Sequence, residues 1–175
     1  DRLPPEAAGM RASPFLETAV EAAHAGGRVL MKSWGKLARG QVRKKGPYDW
    51  VTDVDHASER AILALIRKAF PDHAIRAEES GRSAGRARFE WLVDPLDGTV
   101  NYIHSFPMFA VSVALARDGV LEVGVVYDPV RKELFTAERG RGAWLNGKRI
   151  RVSRVQTFGQ SLLAKRMRRP RIVAE

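Results

Sequence analysis

The chain has no cysteine in its 175 residues, which excludes disulfides and thiolate metal sites. Its four histidines, His24, His56, His73 and His104, are too scattered to suggest a zinc cluster. Any metal used here should be a hard ion bound through oxygen. Long apolar runs are also missing. Nothing approaches the roughly 18 to 20 residues a membrane helix needs, and the N-terminus lacks the basic-then-apolar order of a secretory signal. The expectation is a cytoplasmic protein without membrane attachment. No initiating methionine is present, which suggests a processed or partial chain, and there is neither an internal repeat nor a low-complexity linker.

What is present is ordinary soluble-globular material, 45% hydrophobic and 29% charged, enough for one substantial core. The net charge of +10 is unevenly placed. From Lys148 onward nine cations face Glu175 alone, so this segment carries +8. Such a run reads as a solvated tail or as a surface for a polyanion such as nucleic acid.

Residues 1–12, with Pro4-Pro5 and no periodicity, read as a poorly ordered leader. Ser13 as N-cap and Pro14 at the first helical position open a helix whose Phe15, Ala19, Ala22 and Ala23 recur at helical spacing, and Gly26-Gly27 marks close packing. The stretch "QVRKKGPYDWVTDVD" suits a strand edge or loop. A second helix is predicted to start at Asp55, with Ile62, Leu65, Ile66 and Ala69 on one stripe and Pro71 as its stop. Short strands at "HAIRAEES" and "EWLV" follow. The period then changes to two, with Phe109, Val111, Val113 and Leu115 on one face. Turns at Asp118-Gly119 and Asn146-Gly147 and a break at Asp128-Pro129 separate "VLEVGVVY", "ELFTAE" and "KRIRVS". Two helices packed on a mainly antiparallel sheet make an α+β domain over residues 13–164, with a basic tail at 165–175.

The chemistry concentrates in "WLVDPLDGTVNY". Asp94 ends an apolar strand, Asp97 follows three residues later, and Pro95 restricts the backbone between them, so both carboxylates can be aimed at one point. Two anions so close repel unless a cation joins them; Mg²⁺ suits carboxylates, with the Leu96 carbonyl as a further donor. Gly98-Thr99 fits the first turn of a short helix, whose free N–H groups bind phosphate. A metal beside an anion cradle fits phosphoryl transfer to water. The same residues also read as an Asp-Pro turn followed by an N-cap, Glu78 and Glu79 as a solvated loop pair, and Asp55 as a helix cap.

Taken together, "DWVTDVD", "AEES", "WLVDPLDGTVNYIHSFPMFAVSVAL" and "GVVYDPVRKELFTAERGRGAWLNGKRIRVS" resemble, in order and spacing, the inositol monophosphatase family of magnesium-dependent, lithium-sensitive sugar phosphatases, in its bacterial form. The resemblance covers roughly Ser13 to Ala164 and implies the N-terminal half of an α-β-α-β-α layered phosphatase, commonly a homodimer. By resemblance, Glu78, Asp94 and the Leu96 carbonyl hold a first metal that activates water. Asp55 with Thr99 orients and deprotonates that water. Asp94 bridges to a second metal shared with Asp97, and the Gly98 and Thr99 amides grip the phosphate. Lys44 matches a basic position near the substrate. Glu79 and Asn101 match supporting positions, although surface charge and a turn residue describe these equally. The resemblance further implies two or three Mg²⁺ ions, Li⁺ as inhibitor and a small phosphorylated polyol as substrate, myo-inositol 1-phosphate before fructose 1,6-bisphosphate, NADP or an adenosine bisphosphate. It leaves open a basic RNA- or transcription-associated accessory protein.

The family continues into a second α/β half with a W-D-x-A-A-G block, which this sequence does not contain; after "SLLA" it turns instead to "KRMRRPRIVAE". The expectation is a truncated, frame-shifted or partial chain whose second metal site lacks one carboxylate and whose hydrolysis is impaired without the other half.

Overall fold

Helix α1 (Pro14–Ser33) begins as the sequence predicts, with the Leu16 N–H on the Ser13 hydroxyl at 3.3 Å and Pro14 in the first turn. The computed structural model describes residues 12–161 apart from 38, 39, 41, 47, 48, 84 and 85. Residues 1–11 of the predicted leader and the basic tail at 165–175 lie outside the described residues. The close approach expected at Gly26-Gly27 is present. A Cβ on Gly26 would come within 2.8 Å of Ser58 Oγ and Ile62 Cδ1, and one on Gly27 within 2.7 Å of the Tyr127 ring.

The segment after α1 forms a two-stranded antiparallel ribbon, β1 (Val42–Gly46) and β2 (Asp49–Thr52), where the sequence suggested a strand edge or loop. Helix α2 (Asp53–Ala69) follows directly and corrects the prediction that it starts at Asp55. Thr52 is the N-cap, its hydroxyl accepting from the Val54 and Asp55 N–H groups at 3.2 and 3.3 Å, while the Asp55 carboxylate returns to the Thr52 N–H at 3.0 Å. This is a capping box, in which the acid sits at the third helical position and not at the cap. The buried stripe also shifts from the predicted one: Ile62, Leu63 and Ile66 are covered, whereas Ala69 is exposed.

The remaining strands are β3 (His73–Ala77), β4 (Gly81–Arg82), β5 (Arg86–Asp97), β6 (Ala110–Arg117), β7 (Val120–Asp128), β8 (Glu133–Glu138), β9 (Gly142–Leu145) and β10 (Lys148–Ile150), with a short helix α3 (Thr99–Ile103) between β5 and β6. They form one sheet in the order β10-β9-β8-β7-β6-β5-β3-β4, antiparallel throughout except for β3 beside β5. Strand β9 is absent from the sequence reading, since "GAWL" is short and preceded by glycines; the predicted "KRIRVS" strand ends at Ile150. The hairpin turns at Asp118-Gly119 and Asn146-Gly147 fall where predicted, all four residues having positive φ, as two-residue hairpin loops require.

Helices α1 and α2 cover one face of this sheet. Phe109, Val111, Val113 and Leu115 all point into that layer, none more than 3% exposed, joined by Trp91 and Val93 from β5 and Val123 and Val125 from β7. Two long helices and one short one on a mostly antiparallel sheet make the α+β class. Among the described residues no helix is long and apolar enough to cross a membrane.

Candidate active site

In a regular strand Asp94 and Asp97, three residues apart, would point to opposite faces. A bulge in β5 prevents this. Asp94 lies opposite Ser112 and Asp97 opposite Ala110, so three steps on β5 match two on β6. Directly opposed residues share a face, and Ser112 and Ala110 are two apart, so both carboxylates turn to the same side. The break falls at Pro95, which has no N–H for the ladder. Asp94 closes the local turn by accepting the Leu96 N–H at 3.1 Å, and buried Ser58 donates its hydroxyl to the Pro95 carbonyl at 2.9 Å.

Beyond the bulge, Gly98 adopts φ +91°, and a Cβ there would stand 3.0 Å from the Met108 carbonyl oxygen, so glycine is required both for the backbone turn and for the close approach. Helix α3 is clamped on two sides. The Asn101 side-chain amide donates to the Met108 carbonyl at 2.8 Å, and the buried Tyr102 hydroxyl donates to the Leu30 carbonyl at 2.7 Å. The Thr99 hydroxyl lies 3.2 Å from Asp55 Oδ1 and 3.1 Å from the Leu96 carbonyl. Its single proton serves one of these at a time. A cation drawn to the Leu96 oxygen would therefore direct it to Asp55.

Asp55 is 2% exposed and held from two directions, by Thr52 through Oδ2 and by Thr99 through Oδ1. Burial, above all, lifts its carboxyl above the ordinary carboxylate range; hydrogen bonds from Thr52 oppose the shift and the Glu79 charge adds to it. One turn further along α2, the buried Glu59 carboxylate accepts the N–H groups of Glu79 at 2.8 Å and Ser80 at 3.0 Å. The Glu78 N–H meanwhile bonds to the Val93 carbonyl at 3.1 Å, extending the alignment of β3 and β5. The Glu78 side chain is thereby brought into hydrogen-bond contact with Asp94.

Burial also raises the Asp94 carboxyl, chiefly through lost solvation; the Glu78 hydrogen bond lowers it, and the charges of Asp97 and Asp55 raise it again. Among the described residues no Lys, Arg or His pairs with Asp94 or Asp55. Among the described residues this crowding of like charge at Asp94 and Asp55 has no cationic side chain paired to it, which is the setting a cation relieves. Among the described residues no three His, Asp or Glu side chains enclose a metal position by themselves. Two touching carboxylates and an adjacent carbonyl nevertheless fit Mg²⁺, which takes one or two carboxylates and completes its octahedron with water or phosphate oxygens.

The structure therefore brings together Glu78, Asp94, Asp97, Leu96, Thr99 and Asp55, with Gly98 shaping the backbone between them. Glu79 lies behind them, its side chain 2% exposed and 3.9 Å from His56 Nε2. Lys44 is exposed on β1, its ammonium 5.7 Å from the centre of the Trp50 ring. Ser58 and Glu59 were missed in the sequence. Their signal was phase, since both share the α2 stripe with Asp55, Ile62 and Ile66, where a polar side chain has to be hydrogen-bonded.

Comparison with known proteins identifies the family. The pattern of the inositol monophosphatase family matches residues 11–171. The Nus factor SuhB of Pseudomonas aeruginosa is 48% identical over 153 residues, covering 86% of this chain and 56% of its own length. The crystal structure of the extragenic suppressor protein suhB from Bartonella henselae superposes with a TM-score of 0.80 at 42% identity, covering 82% of this chain and 56% of that one. A crystal structure of an IMPase/NADP phosphatase complexed with Mg²⁺ and phosphate gives a TM-score of 0.57 at 29% identity, over 62% of this chain and 42% of that one. The chain thus spans about half the length of these relatives. The fold, the bulged acid pair and the shared sequence blocks lead to one conclusion: the chain belongs to the inositol monophosphatase family.

Proposed function

We propose that this chain carries the metal and phosphate site of a Mg²⁺-dependent phosphate monoester hydrolase. The observation that supports it most is the bulge of β5, which turns Asp94 and Asp97 to one side beside Glu78 and the Leu96 carbonyl. Glu78, Asp94 and Leu96 would hold a first Mg²⁺, and Asp94 with Asp97 a second. Bound there, Mg²⁺ would supply Lewis acidity, easing loss of a proton from water and neutralising phosphate charge.

The chain's own groups do the rest. Asp55, fixed by Thr52 and Thr99, orients a water and takes its proton as the water oxygen bonds to phosphorus; its raised pKa suits it to a base. N–H groups at Gly98 and Thr99, which have no partner inside the first helical turn, hold the non-bridging oxygens. The phosphorus–ester bond breaks as the new bond forms, and the departing oxygen takes a proton from solvent water to give an alcohol, Asp55 returning its own proton to solvent. A small phosphorylated polyol fits this reading, myo-inositol 1-phosphate first, with NADP and fructose 1,6-bisphosphate as alternatives. Lys44 would guide the anion, Li⁺ would inhibit, and a cytoplasmic homodimer is the accompanying proposal. Calorimetric titration with Mg²⁺ tests the core of it: the chain should bind saturably and Asp94→Asn should weaken binding at least about tenfold, a change of ~1.4 kcal/mol. Equal binding by the two proteins would refute the site.

A second reading, a nucleic-acid-associated accessory role, is favoured by the Nus factor name of the Pseudomonas relative and by the +8 carried from Lys148 onward. Salt-dependent RNA retention lost on deleting 165–175, with no Mg²⁺-dependent phosphate release in any variant, would favour it over hydrolysis.

A further inference from the structure

The Glu59 side chain is polar, only 4% exposed, and takes no part in the chemistry proposed above. Among the described residues no cation pairs with it; its two oxygens are instead divided between two consecutive backbone amides, Glu79 N–H on Oε2 at 2.8 Å and Ser80 N–H on Oε1 at 3.0 Å. A helix residue that holds a loop twenty positions away by both oxygens constrains that loop in rotation as well as position. The residue just before those amides is Glu78, whose own N–H is tied to the Val93 carbonyl at 3.1 Å. Glu78 therefore sits between two anchors, one on α2 and one on β5, and its carboxylate is presented to Asp94 by both.

We propose that Glu59 is a positioning residue for the metal site, aligning Glu78 with Asp94 through the turn after β3. The inference rests on the Mg²⁺ reading above and adds to it a residue that touches neither metal nor substrate. Asp55, Ser58 and Glu59 then divide the site among themselves: one turn of α2 fixes Thr99 on α3, Pro95 in the bulge and the Glu79–Ser80 amides. The energetic logic is that Mg²⁺ demands near-ideal octahedral geometry, whereas the larger Ca²⁺ tolerates irregular shells. A loosened Glu78 should therefore harm Mg²⁺ binding more than Ca²⁺ binding.

The test uses the full chain and Glu59→Gln, which replaces one accepting oxygen with an amide donor facing an N–H. Calorimetric Mg²⁺ affinity should fall about tenfold and Ca²⁺ affinity by less than about threefold, so the preference for Mg²⁺ narrows. Ile66→Val, a core change elsewhere on α2, should lower the melting temperature while leaving both affinities unchanged. A second readout needs no variant: Mg²⁺ should slow hydrogen exchange at the Glu79 and Ser80 amides in the unmodified chain, which keeps the inference testable if Glu59→Gln fails to fold. Unchanged affinities in Glu59→Gln, an equal loss for both ions, or Mg²⁺ binding that leaves those two amides unprotected would each overturn this inference alone. Absence of saturable Mg²⁺ binding by the unmodified chain would overturn the underlying reading and this inference with it.

Discussion

The two ends of the sheet handle polar groups in opposite ways. At the end formed by β5, β3 and the start of α2, buried Asp55, Ser58 and Glu59 are hydrogen-bonded to segments distant in sequence, and buried Thr52 is bonded to Asp55. At the other, β9 and β10 are four and three residues long, and Lys148, Arg149 and Ile150 are all exposed. Arg149 lies over the Trp144 ring at 6.0 Å, and among the described residues neither Lys148 nor Arg149 is ion-paired. Buried polar groups are expensive unless paired, so their concentration at one end marks where geometry has to be fixed. Exposed charges at the other end cost little and fix little.

That contrast predicts unequal responses to similar changes. The largest concerns two of the four tryptophans. Trp91 on β5 is fully buried, its ring centroid 5.6 Å from that of Phe70 at the end of α2, and Trp91→Ala should cost about 3–5 kcal/mol in urea denaturation. Trp144, on the short β9 next to the three-residue edge strand β10, should cost no more than about 2 kcal/mol when changed to Ala, because so short a margin relaxes around the lost volume. Equal losses would erase the distinction. Next, Ser58→Ala removes the donor to the buried Pro95 carbonyl and should cost about 1–3 kcal/mol, whereas Lys148→Ala should stay within about 0.5 kcal/mol. The same denaturation experiment decides it, and a neutral Ser58→Ala would mean the bulge holds without α2.

A smaller effect comes from His73, which stacks on Phe70 and Phe89 with centroids 4.8 and 4.6 Å away and accepts the Trp91 indole N–H on Nδ1 at 3.1 Å. Burial lowers its pKa, with the Asp72 charge opposing. The folded state thus favours neutral imidazole. Its contribution is complete above the unfolded value of about 6.5 and is lost as pH falls from there through the lower folded value. Melting temperature should drop more steeply below about pH 6.5 than in His73→Phe, where this dependence should vanish. Parallel profiles would show that the imidazole proton is not linked to folding.

The same division explains what was legible in the sequence. Ser13, Pro14, Asp118-Gly119 and Asn146-Gly147 announce their elements because cap and turn chemistry is local, and the alternation from Phe109 to Leu115 announces a half-buried strand. The acid pair was visible through Pro95, but the bulge that turns both acids to one side was not, since register depends on the partner strand. The start of α2 was misplaced because Thr52, Asp53 and Asp55 all suit an N-cap, and only the backbone shows which hydroxyl receives the N–H groups. Glu59 was missed because a polar residue on an amphipathic helix ordinarily faces water; its loop partners lie twenty residues away and leave no local trace.

In the proposed site, oxygens from the turn after β3 and from the bulge of β5 converge on one divalent ion. Crystals of the full chain grown with Mn²⁺, a detectable substitute for Mg²⁺, would show it by anomalous scattering. A peak is expected about 2.1–2.2 Å from carboxylate oxygens of both Glu78 and Asp94 and from the Leu96 carbonyl. A peak elsewhere, or none at millimolar Mn²⁺, would contradict it.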